Sequence, residues 1–222
     1  MTARPDPFPV CALCRKPSVT QPAAASSPLP VADLDTRGSP RFSQYRLSYC
    51  DSCGYCAYRL DRGGRLESQW VASKPYRGQL HDPSFPGLAN RYLCMDMIAQ
   101  AQQQWSSSFW SCVQAAWVCD DQGEAVRARD CRLWALNRMG QAQAAGEAIT
   151  SQPGSDVLLR LDLLRRSQRF SQAIRLLERY GHTVSEPMLE RILAYQSQLI
   201  RQRNDRRHNL ADMERWERAV AQ

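Results

Sequence analysis

The sequence predicts a mainly α-helical protein headed by a small β-containing cysteine module, and three observations carry that reading. Two Cys-x2-Cys pairs, Cys11/Cys14 and Cys50/Cys53, lie within the first quarter of the 222 residues. Apolar residues recur at helical spacing from about residue 89 onward. Stretches rich in proline, glycine and small residues, at 17–40 and 65–88, separate the parts. The expected arrangement is a cysteine module over 1–64, a connecting segment over 65–88 and a helical-hairpin domain over 89–222.

Taken in order, residues 1–10 are proline-rich and read as extended. Residues 17–40 form a loop of Pro, Ala and Ser whose middle is expected to be mobile. Tyr45, Leu47 and Tyr49 alternate with Arg46 and Ser48, the period of a strand with one covered face, and Tyr58 to Asp61 before Gly63-Gly64 offers a return strand. Pro75, Gly78, Pro83, Pro86 and Gly87 mark 65–88 as irregular. A first helix is expected over 89–104. In 107–119, Phe109, Cys112, Ala116 and Cys119 share a face, with Trp110, Val113 and Trp117 beside them, and Asp120-Asp-Gln-Gly123 ends that helix. Ala128, Cys131, Ala135 and Met139 line the next, with Gly140 as its stop. Val157, Leu161 and Leu164 face Phe170, Ile174 and Leu177 across Arg165–Arg169 in an antiparallel hairpin. Met188, Ile192, Tyr195 and Leu199 mark a further helix. A last one over 209–221 starts at an Asn209 cap with Asp212 three residues on.

Composition narrows the function classes. Hydrophobic residues make up 43% and charged residues 23%, an ordinary globular balance. No signal-peptide pattern and no bilayer-length apolar stretch occurs, which predicts a soluble, cytoplasmic protein without membrane association. Nine cysteines, an odd number, fit reduced thiols and metal binding better than a disulfide framework. The formal charge of +7 falls to +5 once four thiolates (−4) hold one Zn2+ (+2). Lys16 and Lys74 are the only lysines beside 27 arginines, a bias that reflects overall residue usage more than selection for phosphate contacts.

Cys11-Ala-Leu-Cys14 and Cys50-Asp-Ser-Cys53 are two knuckles, each presenting two thiolates. Together they supply the four soft ligands of a closed tetrahedral zinc site, and the module therefore reads as zinc-ribbon-like. Such a site stabilises structure and leaves no open position for activated water. Gly54 suits the tight backbone after the second pair. Cys53-Gly-Tyr-Cys56 repeats the spacing, so Cys56 stands as an alternate ligand or a redox thiol. Cys94, Cys112, Cys119 and Cys131 fall on predicted helices, where a thiol packs as a small hydrophobe.

No phosphate-binding glycine loop, H-E-x-x-H or nucleophile elbow occurs, and His81, His182 and His208 are scattered, so no catalysis is expected. The run Arg201, Arg203, Arg206 and Arg207 is the candidate for nucleic-acid contact, with Arg41, Arg46 and Arg59 of the module as auxiliaries. The same run also reads as a solvated helix end.

The hairpins around Ala115-Ala-Trp117 to Ala128 and around Leu161 to Ala173 resemble tetratricopeptide repeats at irregular spacing. At Cys11–Cys14, Asp33-Leu-Asp-Thr-Arg37, Tyr49-Cys-Asp-Ser-Cys-Gly-Tyr55 and the Ala-Ala-Trp-Val to Asp-Asp-Gln-Gly-Glu segment, the chain resembles a bacterial family of unknown function over most of residues 8–180. That resemblance implies an N-terminal cysteine-knuckle module joined to tetratricopeptide-like helices. Ala12 and Arg15 depart from the frequent Cys-Pro-x-Cys-Gly form of the first knuckle. The function expected is a zinc-stabilised scaffold for a protein partner, with a nucleic-acid-binding ribbon or a Cys53/Cys56 redox sensor as alternatives.

Overall fold

The computed structural model describes residues 10–18, 33, 34, 37 and 47–221. Tyr45, Arg41, Arg46 and most of the 17–40 loop lie outside them. The described residues form a mainly helical protein with a two-stranded antiparallel sheet near the N-terminus, β1 (Ser48–Tyr49) against β2 (Cys56–Ala57), pairing Ser48 with Ala57 and Tyr49 with Cys56. The return strand thus precedes the expected Tyr58, because the second knuckle closes within six residues of Cys50.

The helices follow as α1 (Arg65–Ala72), α2 (Lys74–Leu80), α3 (Gly87–Ala101), α4 (Trp105–Asp121), α5 (Ala125–Ala144), α6 (Ser155–Arg166), α7 (Phe170–Tyr180), α8 (Pro187–Arg201) and α9 (Leu210–Val220). Two expectations need correction. The stretch from 65 to 80 is helical, not irregular: Glu67 caps the amide of Gly64, Ser73 accepts from the amide of Tyr76, and Pro75 stands in the first turn, where a missing N–H costs nothing. Gly140 does not stop α5, which runs on to Ala144. Glycine costs about 1 kcal/mol in a helix interior, and the next turn recovers that by burying Ala142.

Five helices end by the same device. In α3, α4, α5, α6 and α8 the second residue past the last turn takes a left-handed backbone, at Gln103, Gly123, Gly146, Gln168 and Arg203. The following amide reaches back to a carbonyl in the final turn, as from Gln104 to Ala99 and Glu124 to Cys119. The chain reverses in three residues each time between α3 and α4, α4 and α5, and α6 and α7, which makes these pairs antiparallel hairpins.

Helix α4 is the centre of the packing. Every residue from 111 to 119 is buried, and Ser108, Ser111, Ala115 and Ala116 let α3 and α5 approach its two sides. Polar groups tie the layers at fixed points. Asp96 of α3 accepts from Ser108 of α4 and Arg138 of α5. Glu147, beyond α5, accepts from the amides of Trp105 and Ser106 and so caps α4. Asp120 accepts from Arg132 and Arg166, whose charges hold its carboxyl below the usual range against the opposing effect of burial. Arg165, fully buried, pairs with Asp162 and donates to the carbonyls of Asn204 and Arg206, pinning the α8–α9 turn.

Candidate metal centre

The two knuckles share one hydrogen-bond pattern. In the first, the amide of Arg15 donates to the Cys11 carbonyl at 2.9 Å and the Cys11 amide donates to Lys16 at 3.0 Å. In the second, the Gly54 amide donates to Cys50 at 2.7 Å and the Cys50 amide to Tyr55 at 2.9 Å. Arg15 and Gly54 occupy the same station, and both have positive φ, 61° and 79°. Glycine takes that conformation without penalty, whereas Arg15 takes it with a side chain attached. The departure noted in the first knuckle therefore leaves its geometry intact.

These turns bring Cys11, Cys14, Cys50 and Cys53 together, with one sulfur from each all within 4.8 Å of one another. Cys11 Sγ stands 3.7 Å from Cys53 Sγ, and Cys14 Sγ 3.6 Å from Cys50 Sγ. Four thiolates each about 2.3 Å from one ion at tetrahedral angles stand about 3.8 Å apart. The donor set and its spacing thus fit a single ion that prefers sulfur.

The surroundings manage the charge such a site carries. Burial pushes the Cys11 and Cys53 thiols up, and nearby backbone amides of the knuckles oppose it. At Cys50 burial acts the same way but is outweighed by the Ser18 hydroxyl and the Cys53 amide, which bring that thiol down to about 6. Polar N–H and O–H groups beside the sulfurs are the kind of surroundings that favour thiolates at a metal site. A divalent cation would favour the deprotonated form of the remaining thiols and offset the repulsion among the thiolates, so its binding would release their protons.

Tyr76 of α2 holds the second knuckle from outside. Fully buried, it donates from Oη to the Gly54 carbonyl at 3.0 Å and accepts from the Cys56 amide at 3.2 Å. Burial pushes its phenol well up, so the hydroxyl keeps its proton. The Ala12 amide donates to the Leu60 carbonyl, and the Tyr55 hydroxyl to the Arg62 carbonyl, which ties both knuckles to the turn before α1. Sequence reasoning missed Tyr76 because it lies among Pro75 and Gly78. The available signal was the Ser73 cap followed by Pro75.

Cys56 lies outside the four-sulfur group. It is buried in β2, where its thiol donates to the Gly54 carbonyl, and the Cys94 thiol of α3 lies close enough to it to be pushed up. Cys94, Cys112, Cys119 and Cys131 are all fully buried.

The arginine run is dispersed. Arg207 pairs with Asp33 at 2.6 Å, Arg203 lies over the ring of Phe170, and the Arg206 carbonyl accepts from Arg165, while Arg201, Arg203 and Arg206 keep exposed side chains. Arg59 pairs with Asp61. His81 and His182 are exposed, and Asp82 accepts from Ser84. His208 lies in the loop between α8 and α9, half-buried and 3.0 Å from the Tyr195 hydroxyl, and burial with the nearby Arg165 charge lowers its pKa.

No helix among the described residues is long and apolar enough to cross a membrane. Compared with protein-family models, curated proteins and solved structures, the chain matches none.

Proposed function

We propose that this protein is a helical scaffold that binds a protein partner and is stabilised by one structural zinc ion held by Cys11, Cys14, Cys50 and Cys53. The convergence of those four sulfurs carries the metal half of the reading. Zinc is the ion that a closed set of four thiolates suits, and its role there is to fix the fold. The partner half is supported by a groove across α5, α6 and α7. Two adjoining hollows of about 430 and 720 Å³ share Arg160, Leu176 and Tyr180, with Leu136 and Leu164 lining one and Met139 the other. Packed helical hairpins commonly present such surfaces to peptides and helices.

Elemental analysis of purified protein is expected to give about one zinc per chain, and much less in Cys53→Ser. Metal-free wild type that is folded and was never exposed to chelator overturns the assignment. For the groove, a Leu176→Arg/Tyr180→Ala variant should lose a protein that the wild type retains from native lysate, while keeping its zinc. Retention of the same proteins by both moves the partner surface elsewhere.

A further inference from the structure

Between the two knuckles, the sequence Asp33-Leu-Asp-Thr-Arg37 returns to the helical body at three described residues, with an ion pair at each end and apolar packing between them. The Asp33 carboxylate, on a side chain only 3% exposed, meets Arg207 Nε at 2.6 Å. Leu34, 6% exposed, packs in an apolar cluster with Tyr195 and Leu199 of α8 and Met213 of α9, with Trp216 at its edge. Its amide donates to the His208 carbonyl at 3.1 Å, and Asp33 forms an antiparallel bridge with Asn209. Arg37, 4% exposed, pairs with Asp121 at the end of α4. The Asp33 amide donates to the Arg37 carbonyl at 2.8 Å, which fixes the spacing between the acidic and basic ends.

This is how a folded surface reads a short peptide: a main-chain hydrogen bond sets register, one side chain fills an apolar pocket, and opposite charges at the two ends set direction. Nothing in helix packing alone requires the chain to leave one knuckle, dock on α8–α9 and the end of α4, and return to the other. We infer that the α8–α9 hairpin together with the C-terminal end of α4 forms a peptide-binding site for Asp-Leu-x-x-Arg segments, which Asp33–Arg37 occupies in cis.

The site is distinct from the groove of α5–α7 and does not depend on that reading. Because the segment is tethered to the body it fills, its effective concentration is roughly millimolar. A free peptide competes poorly until the cis contacts are weakened. Removing Leu34 and Arg37 empties the pocket and releases Asp121, while the residues that form the site stay in place.

The test uses the full chain and a fluorescent synthetic peptide of residues 31–40, followed by anisotropy. Leu34→Ala/Arg37→Ala should bind the peptide at least ten-fold more tightly than wild type, and adding Arg207→Ala should abolish the gain. A peptide with the same residues in scrambled order should bind neither protein. Equal affinity for wild type and variant, or no binding to a variant that keeps its helical circular dichroism and zinc content, overturns the proposal. Should the double variant not fold, Leu34→Ala alone decides the question on the same terms, since it removes the apolar anchor and leaves every buried charge paired.

Discussion

Gly54 and Arg15 show how differently one backbone station can be filled. Both donate an amide to the first cysteine of their knuckle and both have positive φ. A methyl group at Gly54 meets Leu80 Cδ2 at 2.7 Å and Arg77 Nη1 at 2.9 Å, in addition to the strain of its left-handed backbone. Gly54→Ala should therefore destabilise by roughly 1–3 kcal/mol and weaken zinc retention. Arg15→Gly should stabilise by about 1 kcal/mol, since it removes the steric cost of the left-handed conformation. Urea unfolding of both variants with zinc content measured in parallel checks the pair, and equal effects of the same sign defeat the argument. The four ligand candidates were legible in sequence because a knuckle writes its own spacing. Tyr76 was not, since a side chain reaching Gly54 from 22 residues away leaves no local period.

Among the elements, what was legible follows the strength of the local signal. Helices α4, α6, α7 and α8 carry apolar faces that repeat at helical spacing, and the cap of α9 appeared as expected: Asn209 accepts from the Asp212 amide, and Asp212 accepts in return from the Asn209 amide. Helix α2 hid behind Pro75 and Gly78, because proline at a helix start and proline in a loop look alike until the cap before it is weighed. The stops tell the same story. Gly123 was readable as the end of α4, but α5 passes Gly140 and ends before Gly146, a choice made by the burial of Ala142 and the Glu147 cap on α4. At α3, α6 and α8 the left-handed residue is Gln103, Gln168 or Arg203, types that do not announce a helix end. Two of them repay their conformation with tertiary contacts: Gln168 bridges Arg129 and Asp205, and Arg203 covers Phe170.

At the scale of the whole molecule, the features beyond sequence reasoning are those joining distant residues, such as Asp33 with Arg207, 174 positions apart. The cysteine module is likewise not a bead on a string. Cys11, Leu47, Cys50, Tyr55, Cys56 and Leu60 belong to one apolar cluster with Tyr76 of α2, Tyr92 and Cys94 of α3 and Ala115 of α4. The clusters under α6–α8 and around α8–α9 are built from other residues. A ligand that binds only the folded state stabilises whatever folds cooperatively with its site, by an amount that grows with the logarithm of its free concentration over Kd. Withdrawal of the metal should therefore loosen the helices that share the module's cluster and spare those that do not. Hydrogen exchange before and after chelation is expected to show faster exchange in the knuckles, α2, α3 and the parts of α4 and α5 that join the module's cluster, with α6 and α7 unchanged. Acceleration confined to the knuckles would make the module an appendage whose bound metal serves only itself. Acceleration throughout would mean that the shared cluster and the C-terminal clusters open as one cooperative unit, so that the metal governs the groove across α5, α6 and α7 as well.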